Sequence, residues 1–224
     1  MKIPQIFDLN KELPKPVSEE EIQTIQTLDE ISKKITQVLS MGGQVPEEYS
    51  HHVLQLTDNV LPSIRASVVL GHIFWIIREF TAMRDLYRKL IDMHGESHIL
   101  LFYFALAKEK CSETNEALEL YNKIIGSGCK NFHVYMQASR IYREQGDYSK
   151  STTMANLAIY ENHHESIEPF VTMANNFFNT NEINKMFECF SRIEKIAGKE
   201  GLSSLGELYE KHQKVYHNLK NMLN

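Results

Sequence analysis

The chain of 224 residues reads as an all-α protein, a right-handed α-solenoid of about four helix pairs with helices before it and a capping helix after it. Three observations predict this. Segments of similar pattern recur at a spacing of 34 residues, and a fixed period of 20–50 residues marks stacked repeats. Apolar residues within these segments follow the three-and-four spacing of a helix face. Glycine and proline are scarce, 10 and 6 in the whole chain, which disfavours a turn-rich β protein.

The clearest recurrence is Leu86-Tyr87-Arg88-Lys89-Leu90-Ile91, which returns as Leu120-Tyr121-Asn122-Lys123-Ile124-Ile125. A weaker copy follows at Met154–Ile159, and after one extra residue Cys189-Phe190-Ser191-Arg192-Ile193 keeps the phase. Repeats are assigned to 64–97, 98–131, 132–165 and 167–200. Their eighth residues are small: Gly71, Ala105, Ser139 and Ala174. Their eleventh are Phe74, Lys108, Tyr142 and Phe177, their twentieth Met83, Ala117, Ser151 and Met186, and their twenty-fourth Tyr87, Tyr121, Ala155 and Phe190. Small residues let two helices approach closely, and rings fill the space beside them. Gly146 stands where a helix takes a left-handed C-terminal residue. Lys110–Glu113 and Thr180–Glu182 are turn-like at the same phase, whereas the first repeat has Ile76-Ile77-Arg78-Glu79 there.

The ends do not repeat. Residues 1–63 form an N-terminal region whose first part, with Pro4, Pro14 and Pro16, reads as irregular. Ser18-Glu19-Glu20-Glu21 is a capping box, and the helix it opens ends at Met41-Gly42-Gly43. Its apolar stripe includes Ile25, Leu28, Ile31 and Ile35, either packed on the first repeat or exposed as a homodimer surface. Pro46-Glu47-Glu48 opens another helix toward Leu61-Pro62. Residues 201–224 supply a last helix from about Leu202 to Leu223, and terminal repeats need such a polar-backed cap.

A net charge of −5 argues against binding to nucleic acid through phosphate neutralisation. No run of about 20 apolar residues exists to span a membrane. Three cysteines, Cys111, Cys129 and Cys189, make neither a disulfide framework nor a zinc site. With no secretory leader at the start, the chain is expected in the cytoplasm. No nucleotide, zincin or nucleophile motif is present. His51-His52 and His163-His164 are adjacent pairs, and neighbours on a helix point about 100° apart, so neither pair chelates one ion. No catalytic residue, metal or cofactor is expected.

The repeats resemble the tetratricopeptide repeat. The best unit is Tyr135…Ala138-Ser139…Tyr142…Gly146-Asp147-Tyr148…Ala155…Ala158, and the likeness covers 136 of 224 residues. The family's first-helix tryptophan is missing, and Ser97, Asn131 and Glu165 or their neighbours replace its terminal proline. The resemblance implies a concave groove lined by the first helix of each repeat. It carries over to Val68, His72 and Trp75, to Phe102 and Leu106, to Met136, Arg140 and Arg143, and to Val171, Asn175 and Phe178.

That lining is rich in apolar and Arg residues, the types enriched at interaction sites. The implied partner is a protein or peptide with an apolar segment, its acidic flanks pairing Arg140 and Arg143. The alternative is that the terminal helices fill the groove in cis. The pairing of Val68 with His72 and of Phe102 with Leu106 does not match the Lys and Asn with which related repeats clamp acidic C-termini.

The layout also resembles the class II chaperones of type III secretion. The break at Met41-Gly42-Gly43, the Glu168-Pro169-Phe170 start of the last repeat and the tail from Leu202 carry that likeness. It implies a cytoplasmic chaperone holding an extended segment of a hydrophobic secreted protein. The rival reading is an adaptor joining folded partners through the same surface. A weaker one is an enzyme subunit whose repeats sense a ligand.

Overall fold

The computed structural model describes residues 18–161 and 165–223. Every regular element among them is helical. In order these are α1 (Glu19–Ser40), α2 (Glu47–Gln55), α3 (Thr57–Val60), α4 (Ile64–Ile77), α5 (Phe80–His94), α6 (His98–Lys110), α7 (Thr114–Gly126), α8 (Phe132–Glu144), α9 (Tyr148–Glu161), α10 (Glu168–Asn179) and α11 (Ile183–Gly201), a 3₁₀ turn (Leu202–Leu205), and α12 (Glu207–Leu223). The chain divides into two compact units, and the boundary falls at Leu120–Tyr121 inside α7.

Each pair from α4 onward turns on the same backbone device. Arg78, Ser112, Gly146 and Asn181 have φ of 65°, 67°, 79° and 60°, at successive spacings of 34, 34 and 35 residues. The residue after each one donates its N–H back to the end of the first helix: Glu79 to Phe74, Glu113 to Lys108, Asp147 to Tyr142 and Glu182 to Phe177, at 2.7–2.9 Å. This is the Schellman closure, in which a left-handed residue lets the chain satisfy otherwise orphaned carbonyls. The same four residues, all acidic, then accept through their own carbonyls the first bonds of the second helices, from Met83, Ala117, Ser151 and Met186. A carboxylate there also faces the positive end of the helix dipole. Only the third repeat supplies glycine, so the geometry is shared where the side-chain chemistry is not.

The first helices are capped in phase as well. Ser63 accepts from the Ala66 N–H, Ser97 from that of Leu100, and Asn131 from those of His133 and Val134. Such a cap stabilises a helix by about 1 kcal/mol.

In the first unit, α1, α2 and α3 pack on α4, α4 on α5, and α5 on α6. Leu28, Ile31 and Ile35 are buried, so most of the stripe on α1 is spent within the chain. Ile25 is half-buried, and the apolar residues α1 leaves outward are Ile22 and, past its middle, Leu39. Gly71 on α4 is the site of a close approach. A Cβ there would lie 2.2 Å from the Tyr87 hydroxyl. Tyr87 is fully buried and stacked on Tyr103, with centroids 5.5 Å apart. Lys108 occupies a position that is aromatic in three of the repeats. It remains there because Glu113 and Glu116 bind its ammonium at 2.6 and 2.5 Å, and a buried cation needs such partners.

In the second unit, α8 packs on α9, α9 on α10, and α10 on α11. A polar network runs through its core. Ser139 donates to the Ser151 carbonyl at 2.7 Å, and the Asn176 amide donates to the Ser151 hydroxyl at 2.8 Å. Two segments differ from the sequence reading. The helix expected from Glu47 to Leu61 is interrupted at Leu56. The tail is not one helix from Leu202. Gly206, with φ 53° and ψ −134°, breaks it after the 3₁₀ turn, in a conformation that side chains beyond Cα disfavour. Beyond it α12 is fixed to α11 through Glu194, which accepts from Tyr216 and Lys220, each at 2.7 Å.

Candidate functional site

The residues expected to line a groove fall into two groups. In the first unit most are closed to solvent. Val68 and Phe102 have no exposed surface, Leu106 has 3% and Trp75 has 8%. They form core, and an apolar partner cannot reach Val68 or Phe102 without opening the unit. His72 is half-buried, its ring edge-on to Tyr103, and burial pushes its imidazole down to about 4. It is therefore neutral near pH 7. Trp75 packs edge-on to Phe80 and carries the Lys110 ammonium 5.3 Å above its ring.

In the second unit Met136 is as buried as Trp75, whereas Arg140, Arg143, Val171, Asn175 and Phe178 stay at least partly accessible. Met136, Arg140 and Arg143 follow one another at spacings of four and three on one face of α8. Across from them, α10 presents Glu168 and Val171, with Thr172 beside them. These residues, with Gln137, Ile167 and Ser204, line a cavity of about 400 Å³. That is within the range of small-ligand and peptide-side-chain pockets. Met136 forms an almost buried floor at 7% exposure, and Val171 is partly exposed. Asn175 lies one turn beyond Val171 and donates to its carbonyl at 2.8 Å. Phe178, another turn along, is 43% exposed and meets the ring of His212 on α12, centroids 5.4 Å apart.

The charges in this cavity are unequally satisfied. Arg140 donates to Glu144 at 2.6 Å and to Gln137 at 3.4 Å. The Arg143 side chain has no ion-pair or hydrogen-bond partner among the described residues. Glu168 is an exposed residue, yet protein around its carboxyl pushes it above the ordinary carboxylate range. The repeat pattern points to Arg143, Met136 and Val171 but not to Ile167, Thr172 or Ser204. Thr172 is one residue off the expected groove positions. Ser204 arrives through the 3₁₀ turn, which the pattern of an unbroken terminal helix conceals.

The described residues contain no group of three or more His, Cys, Asp or Glu that could hold a metal ion. His51 and His52 are exposed on α2, while His163 and His164 lie outside the described residues. Cys189 is buried, and burial pushes its thiol up to about 12. No helix among the described residues is long and apolar enough to cross a membrane.

No protein-family model matches the chain, and no curated protein matches it either. Solved structures do. YrrB, described as a tetratricopeptide-repeat protein with an unusual peptide-binding site, superposes with a TM-score of 0.61 at 12% identity, over 92% of this chain and 95% of YrrB. MamA from Desulfovibrio magneticus RS-1 gives 0.60 at 10% identity, over 81% and 97%. TTC0263, a tetratricopeptide-repeat protein of Thermus thermophilus, gives 0.52 at 17% identity, over 66% and 81%. The chain therefore has the tetratricopeptide-repeat fold, an all-α solenoid of helix pairs. At these identities the likeness establishes the fold, and it does not extend to the secretion-chaperone family.

Proposed function

We propose that the protein is a binding module that holds a segment of another protein against α8 and α10. The observation that carries this is the lined cavity itself. Val171 offers apolar surface beside the nearly buried Met136, and Arg143 offers an unsatisfied cation, on a fold whose neighbour YrrB is described as having a peptide-binding site. The reading favours an adaptor over a secretion chaperone. A chaperone that shields long apolar stretches needs a continuous apolar face, and Val68, Phe102 and Leu106 are spent in the core of the first unit. What stays open fits a short segment. A homodimer through α1 has less support for the same reason, since Leu28, Ile31 and Ile35 are buried.

The test is purification from the protein's own cells, wild type beside Val171→Asp. The expected result is a stoichiometric partner that is soluble on its own and is lost from the variant. A partner retained equally by both proteins rejects the site. A partner that aggregates when made alone restores the chaperone reading.

A further inference from the structure

The cavity between α8 and α10 is asymmetric in charge, and this bears on what it binds. Both arginines stand on the α8 wall, and Glu168 stands on the α10 wall. Arg140 is already engaged by Glu144 and Gln137. Arg143 is half-buried and, among the described residues, unengaged. Taking a guanidinium partly out of water without a partner is unfavourable, and a ligand carboxylate restores what is lost. Elsewhere in the chain the half-buried Arg84 has a partner, Glu113, at 2.6 Å. A chain of net charge −5 with acids to spare leaves this one cation in the cavity uncompensated.

We propose that the cavity takes an acidic side chain of the partner segment against Arg143, with a neighbouring apolar side chain seated on Met136 and Val171. The assignment rests on the binding-module reading above and adds the chemistry of the partner to it. The bound segment also has a fixed sense. Its acid faces α8, because Glu168 repels a second carboxylate placed at the α10 wall. A neutral or donating group fits there instead. Apolar burial supplies attraction without direction, and the Arg143–carboxylate bond supplies register.

The probe is a phage-displayed library of random twelve-residue peptides, panned on the full chain and on Arg143→Gln and Arg143→Glu. Both variants are first required to keep the wild-type urea transition, since Arg143 makes no bond that the fold uses. On wild type, enrichment of Asp or Glu beside Leu, Ile, Met or Phe is expected. On Arg143→Glu the acidic preference gives way to Lys or Arg. A synthetic copy of the leading wild-type peptide, followed by fluorescence anisotropy, is expected to bind Arg143→Gln about tenfold to a hundredfold more weakly, the loss typical of a charged hydrogen bond. Glu168→Gln is expected to leave the acid beside the apolar residue and to admit a second one. Apolar peptides without acid preference overturn the proposal and leave the binding module standing. An acidic preference that survives Arg143→Glu overturns the role of Arg143. No enrichment over an empty surface overturns both readings.

Discussion

Replacing Arg78 by glycine is expected to stabilise the protein, although it deletes a large side chain and adds the most flexible residue. Arg78 sits at φ 65° and ψ 23°, where a side chain meets its own carbonyl. For an L-residue this conformation costs about 1–2 kcal/mol. Glycine adopts it freely but raises the entropy of the unfolded chain, which costs roughly 0.5–1 kcal/mol. Arg78 is exposed and its side chain holds no ion pair among the described residues, so nothing else is lost. The net gain is about 0.5–1 kcal/mol.

The other three turns calibrate that figure. Ser112→Gly is expected to gain a similar or smaller amount. Asn181→Gly is expected to gain almost nothing, because asparagine tolerates the left-handed region. Gly146→Ala is expected to lose about 1 kcal/mol. Urea unfolding with an unchanged m-value reads each difference as a shifted midpoint. A control, Lys89→Gly in the middle of α5, is expected to lose stability as any helix-interior glycine does. If Arg78→Gly falls with that control, the first pair does not close by the left-handed turn and the shared backbone device is wrong.

Four other substitutions test the interior. Gly71→Ala is expected to destabilise by about 1–2 kcal/mol despite the better helix residue, because its Cβ meets Tyr87, and Tyr87 is stacked on Tyr103. Tyr87→Phe is expected to be neutral or stabilising alone, since the hydroxyl is buried without a partner. A stabilised Gly71→Ala protein contradicts that packing. For His72, the folded value near 4 lies below the ordinary 6.5, so the unfolded chain takes the proton first. Stability is full above pH 6.5 and falls as pH drops toward 4, by up to about 1.4 kcal/mol per unit. His72→Gln flattens that slope, and an imidazole proton resonance titrating near 6.5 refutes the burial. Glu194 is held below its ordinary 4.5 by Lys220 and then Tyr216, so its contribution is present above 4.5 and lost as pH falls through the lowered value. Tyr216→Phe is expected to cost about 1–2 kcal/mol and to raise amide exchange across α12 first. Unchanged exchange there rejects the docking role.

Much of the fold was legible because it is periodic. The residues at the eighth, twentieth and twenty-fourth positions of the repeats are buried, from Gly71 and Tyr87 to Met186 and Phe190. A 34-residue phase carries information that no single helix does. The turn at Arg78 was harder to see, since arginine gives no sign of a left-handed backbone. Only its distance from Gly146 betrays it. The groove was legible in part. Position within a repeat says which way a side chain points from its helix, but not whether another element covers it. Phe102 and Val171 both hold the fifth position of a repeat, yet one is fully buried and the other partly exposed. Burial depends on long-range packing, which local pattern does not encode. For the same reason the stripe of Leu28, Ile31 and Ile35 suited either a second chain or α4, and the structure places it on α4.

Met136 offers the most direct test that α8 and α10 receive the partner. The chain has nine methionines, and their labelled methyl groups give separate NMR signals. Met136→Leu assigns the one in the cavity. Titration with the leading selected peptide is expected to shift Met136 while fully buried Met83 and exposed Met93 stay in place. A shift at Met93 with Met136 unmoved would place the peptide elsewhere and contradict the account.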